Sequence, residues 1–154
     1  MRTSQALAIK RWTRTLTKAI QDSSLDDIIK NKIISKNPII PHIYGLPKIH
    51  KYGCPLRPIV NDIGSPSYGL DMLLVNKFKP LVGHSQSFIK DSSHFIQNIK
   101  NMSLRESDIM VSFDVVSLYT KIPVNEVVNI IKELTDEETT NLVKVCLAST
   151  YFSF

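Results

Sequence analysis

The stretch "NPIIP", Asn37 to Pro41, is the strongest single constraint on this chain. Proline lacks a backbone N–H and disfavours helical geometry in the residue before it, so two prolines within four positions end any helix that arrives there. The chain therefore divides into a front segment, residues 1–37, that is free to be helical, and a remainder, 38–154, that must begin extended.

The front segment is basic. Residues 1–60 carry a net charge of +8 and residues 61–154 a net of −3. This asymmetry suits a polyanion partner on one side and an acidic spot on the other, or equally an ordinary solvated surface. The 154 residues suffice for one modest domain with a buried core, and 43% hydrophobic with 21% charged residues is ordinary for a globular chain. No apolar run approaches the roughly 18–20 residues that span a bilayer. The opening "MRTSQALAIKRWTRTLTKAI" is interrupted by Lys and Arg and has no secretory apolar region, leaving a basic arm or a weak transit-type segment. Cys54 and Cys146 form no metal spacing, and His42, His50, His84 and His94 are scattered, which argues against a disulfide framework or a zinc site. A reducing compartment follows, intracellular and no more narrowly placed than nucleus or cytoplasm.

Periodicity predicts a helix over 3 to about 21, with Leu7, Trp12, Leu16 and Ile20 on one stripe. A second, short helix is expected over "SLDDIIKNKII" with Ser24 as N-cap, its Asp26-Asp27 pair serving as N-terminal charge. "HIYGLPKIHK" and "PLRPIV" read as strands flanking the turn "KYGCP", hence a basic hairpin carrying Lys48, Lys51 and Arg57 with Tyr44 and Tyr52 nearby. Leu70, Leu73, Leu74, Phe78 and Leu81 predict another helix, "DSSHFIQNIKNM" one with an Asp or Ser cap, and "VNEVVNIIKELT" and "DEETTNLVKVCLASTYF" two more. The fold class is α+β.

"SDIMVSFDVVSLYTKIP", Ser107 to Pro123, sets a lone carboxylate in a β-favouring run. Alternation along a strand puts Ile109, Val111 and Phe113 against the core, and Met110, Ser112 and Asp114 on the open face. Asp114 then needs a cation or solvent. A hard divalent ion such as Mg²⁺ would take its carboxylate and the Val115 carbonyl as part of a shell. Alternatively, Asp114 caps a helix or pairs with a lysine.

Together "YGLPKIHK", "PLRPIV", "SFDVVSLYTKIP" and "STYFSF" resemble the reverse transcriptase of Penelope-like retroelements, relatives of telomerase reverse transcriptase. The resemblance runs from about Pro41 to Phe154 with its blocks in family order. It implies fingers over about 38–106 and the start of a palm over about 107–154, mostly helical with the basic hairpin and one palm strand. It implies that Asp114 is the first catalytic, metal-binding aspartate and that Val115 is a carbonyl ligand. Tyr119 becomes the aromatic beneath the incoming sugar, or else a core aromatic. Arg57 becomes a contact to the nucleotide triphosphate, with Lys48 and Lys51 on the same surface or simply solvated. Tyr44 and Tyr52 either stack on bases or pack under the hairpin. Lys121, where the family more often has asparagine, has no role assigned. The implied partners are an RNA template, a DNA primer and deoxynucleoside triphosphates, with no membrane, and the implied cofactor is a pair of Mg²⁺ ions.

The family's later Asp-Asp motif does not occur in these residues. The one Asp-Asp, Asp26-Asp27, lies upstream in a helical context. These 154 residues are thus expected to hold half an active site and to be inactive unless a downstream palm and thumb segment or a partner subunit completes it. A non-catalytic RNA- or DNA-binding remnant, or a decayed element without a role, are the alternatives.

Overall fold

The structure, a computed structural model, describes the backbone of residues 2–116 and 118–148 and the side chains of 6–116, 118 and 121–148. The fold is α+β: about half the chain is helical, and one two-stranded antiparallel sheet accompanies the helices among the described residues.

Helix α1 spans Arg2–Gln21. Its Trp12, Leu16 and Ile20, one turn apart, are each buried to 2% exposure or less, whereas Leu7 lies in solvent. The apolar stripe therefore docks only over the C-terminal three turns. Helix α2, Asp27–Ile33, starts on Asp26, whose carboxylate accepts from the Ile28 N–H at 2.7 Å. This corrects the expectation that Ser24 caps it. Ser24 is engaged elsewhere, donating its N–H and hydroxyl to the Glu138 carboxylate. The Asp26-Asp27 pair does serve the helix N-terminus, as cap and first-turn charge.

After the prolines the chain extends into β1, His42–Pro47, which pairs with β2, Leu56–Asn61, in the register Leu46 opposite Arg57 and Tyr44 opposite Ile59. The connecting turn is closed by Lys48 N–H to Pro55 O, 3.0 Å, and by Cys54 N–H to Lys51 O, 3.0 Å. Gly53 and Cys54 both sit at positive φ, 73° and 43°. Pro47 and Pro58 offer no N–H to a further strand, which discourages extension of the ribbon at either position.

Helix α3, Tyr68–Phe78, continues into a 3₁₀ turn, Lys79–Leu81. Leu70 and Leu74 are buried, Leu73 and Phe78 half-buried, and Leu81 is exposed beyond the Pro80 break. Helix α4, Ser92–Ile99, is capped by Asp91, which accepts from His94 N–H at 2.8 Å. Short α5, Leu118–Lys121, leads to α6, Val124–Leu134, and α7, Glu137–Ala148, whose first turn carries Glu137 and Glu138.

The core lies where α1, α2, α3 and α7 meet: Trp12, Leu16, Ile20, Ile33, Leu70, Leu74, Leu142 and Val143. Each such side chain contributes on the order of 1.5–3 kcal/mol by leaving water. Residues separated by 130 positions share this cluster, so the helical front segment is an integral part of it.

The expected palm strand is not formed. Residues 108–115 have no regular structure, and Ile109, Val111 and Phe113 are 84%, 71% and 90% exposed rather than packed. A strand is stabilised by a neighbour's N–H and C=O groups, and no described residue supplies them. "STYFSF", Ser149 to Phe154, and the Tyr119 side chain lie outside the described residues. Among the described residues no helix is long and apolar enough to cross a membrane.

Candidate nucleic-acid and nucleotide interface

The hairpin is an exposed basic ribbon. Alternation places Arg57 on the face that also carries Leu46, Tyr44 and Ile59, because residues opposite one another share a face. Arg57, Tyr44 and Lys51 are exposed, Lys48 is half-buried, and Tyr52 at the turn is fully in solvent. The tyrosines therefore do not pack beneath the ribbon. None of Lys48, Lys51 and Arg57 forms an ion pair among the described residues. Their positive charge is available to an incoming anion, and a planar guanidinium suits paired phosphate oxygens.

Asp114 and Val115 are exposed on the irregular segment between α4 and α5. Asp114 makes no ion pair or hydrogen bond among the described residues. Among the described residues no hydrogen bond or ion pair joins this segment to the hairpin. Tyr119 follows on α5.

A divalent cation can be tested against these donors. Octahedral Mg²⁺ requires six oxygens, and Asp114 with the Val115 carbonyl offers two kinds of donor on one short segment. No group of three or more His, Cys, Asp or Glu residues comes together as a metal site among the described residues.

Other polar groupings are structural. The Asp136 carboxylate accepts from Thr139 N–H at 2.7 Å and from Lys77 Nζ at 2.9 Å, and the Lys77 ammonium also reaches Thr139 Oγ1. The Thr139 amide, then Lys77 and the Thr139 hydroxyl, hold Asp136 far below the usual carboxylate range. Glu138 is lowered by the Ser24 hydroxyl and amide. These contacts tie α7 to α3 and to the α1–α2 turn. An Asp three residues ahead of Thr139 at a helix start was the available sequence signal for the cap. The Lys77 contact, 59 residues away, had none.

Near the base of α3, burial raises Asp62, with a hydrogen bond from Ser65 opposing and the neighbouring Asp71 reinforcing the shift. Burial likewise pushes the Cys146 thiol far up, assisted by Asp71 and Asp62. Cys146 is therefore a protonated packing residue, unsuited to act as nucleophile or thiolate ligand.

Helix α1 presents a further feature. Lys10, Arg14 and Lys18, together with Pro38, line a groove of about 650 Å³. Their i, i+4, i+8 spacing was legible in the sequence as general basicity, without the groove. Compared with protein-family models, curated proteins and solved structures, the chain matches none.

Proposed function

We propose that these residues carry the fingers and the first palm carboxylate of an RNA-directed DNA polymerase of the Penelope-like retroelement kind. The observation that carries this reading is the order of the four sequence blocks, "YGLPKIHK", "PLRPIV", "SFDVVSLYTKIP" and "STYFSF", over some 110 residues. One block alone has little weight. Four in the family's order are difficult to obtain by chance.

Two structural facts support it. Arg57 stands on an exposed ribbon with no acidic partner among the described residues, and Asp114 is exposed and unpaired there. In the proposed reaction the primer 3′ oxygen bonds to the α-phosphorus of a deoxynucleoside triphosphate, and the bond to pyrophosphate breaks. Arg57 holds triphosphate oxygens, with Lys48 and Lys51 adding positive potential. Tyr119 lies under the sugar. Asp114 supplies one carboxylate of the set that would hold the metal ions. In this reading Arg57, Lys48, Lys51 and Tyr119 bind and orient the nucleotide.

The test is equilibrium binding of a fluorescent deoxynucleoside triphosphate to the chain. Arg57→Gln is expected to weaken binding about tenfold, and Arg57→Lys by nearly as much, because a point charge lacks the bidentate fork. The chain alone is expected not to extend a primer. Equal affinity for triphosphate and unphosphorylated nucleoside, insensitive to Arg57, would sink the reading. A non-catalytic nucleic-acid-binding role is the second reading, favoured by the lack of an assembled carboxylate set among the described residues. RNA binding without triphosphate binding would select it.

A further inference from the structure

We propose that the groove between α1 and Pro38 is a docking track for a single strand of nucleic acid, separate from the nucleotide-facing hairpin. The proposal rests on the reading that the chain's partner is a nucleic acid, and it assigns that partner a second surface.

Helix α1 contains no acidic residue, yet it carries Lys10, Arg11, Arg14 and Lys18, all exposed. None of these four forms an ion pair among the described residues. Asp22, one turn beyond Lys18, makes a backbone hydrogen bond to it, Asp22 N–H to Lys18 O at 2.9 Å, but no side-chain pair. On an ordinary solvated helix such charges are interspersed with carboxylates at i+3 or i+4, which offset their mutual repulsion. Here the one carboxylate so placed is Asp22, at i+4 from Lys18, and Lys10, Arg11 and Arg14 have none.

Three of the four charges converge on one channel. Lys10, Arg14 and Lys18 line the groove together with Thr13, Thr17 and Pro38, and no carboxylate lines it. At about 1.5 Å of rise per residue the cations are about 6 Å apart and the row is about 12 Å long. This is a linear array of positive charge beside a hydroxyl-bearing surface, matched to a chain of successive phosphodiesters and their sugars. Arg14 and Lys18 also line a neighbouring cavity with Asp22, and a further cavity, lined by Asp22, Glu137 and Glu138, would repel the same strand. RNA and single-stranded DNA share the recognised chemistry.

The experiment measures binding of labelled 12-mer oligouridylate, 12-mer oligothymidylate and phosphatidylserine vesicles to the full chain across a salt series. Three phosphate contacts on a single strand give a slope of log K against log salt of about −2, from about −0.7 per contact. The triple variant Lys10→Gln, Arg14→Gln, Lys18→Gln is expected to lose at least tenfold in oligonucleotide affinity at about 0.1 M salt and to flatten the slope by about 2. Arg14→Gln alone should flatten it by about 0.7, and, all three residues being exposed, the fold should be retained. A charge-matched control, Lys90→Gln, Lys100→Gln, Lys132→Gln, should bind within about threefold of the parent, given the short reach of screened surface charge. Equal losses in both triple variants would mean diffuse attraction and overturn the track. So would unchanged oligonucleotide binding in the α1 triple, including the case in which only vesicle binding falls. Loss of triphosphate binding in the Arg57 variants with an inert α1 triple would leave the polymerase reading standing and remove this one. Uridylate bound in preference to thymidylate would identify RNA as the strand, and the reverse single-stranded DNA.

Discussion

Gly69 lies directly against the backbone of Ile33: a Cβ built on Gly69 would fall 2.8 Å from the Ile33 Cα and into its carbonyl oxygen. This near-contact is what allows α3 to cross the end of α2 and bury Leu70 and Ile33 in one cluster. Gly69→Ala gains up to about 1 kcal/mol of helix propensity. It must also separate two backbones, an overpacking cost of about 1–3 kcal/mol or more. The net expectation is destabilisation, read as a lower urea midpoint at unchanged slope. A variant as stable as the parent would contradict the close crossing.

The Asp136 and Glu138 carboxylates, both with lowered pKa in the folded chain, make stability pH-dependent in a defined direction. A depressed folded pKa means the unfolded chain binds protons first as pH falls. The stabilisation is therefore complete above the ordinary carboxylate range, about pH 4–4.5, and drains away below it. Unfolding midpoints of the parent should fall as pH drops from about 5 to 2. Asp136→Asn should be less stable at neutral pH and show a shallower decline. Parallel curves for the two proteins would refute the assignment. Asp136 is exposed and Glu138 only half-buried, so added salt should shrink the effect.

Asp62 behaves oppositely. Its pKa is raised, chiefly by burial, so its ionised form opposes folding, and the penalty appears as pH climbs through the ordinary carboxylate range and the raised folded value. Asp62→Asn keeps a hydrogen-bonding side chain and removes the charge beside Asp71. It should raise the thermal midpoint at pH 7 and leave it little changed at pH 3. A lower midpoint at pH 7 would show that the carboxylate's bonds outweigh its desolvation.

How much of this was legible in the sequence follows from what each element needs. The α1 stripe of Trp12, Leu16 and Ile20 and the Leu70/Leu74 pair were readable because helices satisfy their own backbones, and periodicity then marks the buried face. The hairpin was readable because "KYGCP" concentrates turn residues between two β-type runs. The Ser24 cap was misread, since Ser24 and Asp26 are both good caps and only the distant Glu138 decides between them. The Ser107–Asp114 strand was misread for a deeper reason. β-propensity describes a fit to neighbouring strands, and the sequence of one segment says nothing about whether neighbours are present. Of the candidate site, the residue types were legible, but the relation of Asp114 to Arg57 was not.

Asp114 should be separable from stability. It is exposed and bonded to nothing among the described residues, so Asp114→Ala is expected within about 0.5 kcal/mol of the parent. Leu70, fully buried, should cost about 2–5 kcal/mol on truncation to alanine. Chemical denaturation of the two variants side by side makes the comparison. A large loss at Asp114 would give that carboxylate a structural role and weaken its place in a nucleotide site.

The segment around Asp114 yields the last expectation. Ile109, Met110, Val111, Phe113, Val115 and Val116 are all exposed, an apolar run of the composition that ordinarily lies within a sheet. No backbone hydrogen bond engages residues 109–116 among the described residues, although the amide of Asp108 donates to Arg105 O at 2.9 Å. Amides without a partner exchange with solvent as in an unfolded chain, whereas those of α1 and α7 open only with the core. Hydrogen exchange should therefore resolve 109–116 as unprotected beside protected helices. If the proposed palm reading is right, strands that complete the sheet should slow these amides by orders of magnitude while leaving α1 unchanged. Such pairing would also cover an exposed strand-forming run that otherwise invites self-association. Protection of 109–116 in the monomeric chain would mean that the segment already has a partner, and Asp114 would then have to be sought on a formed sheet.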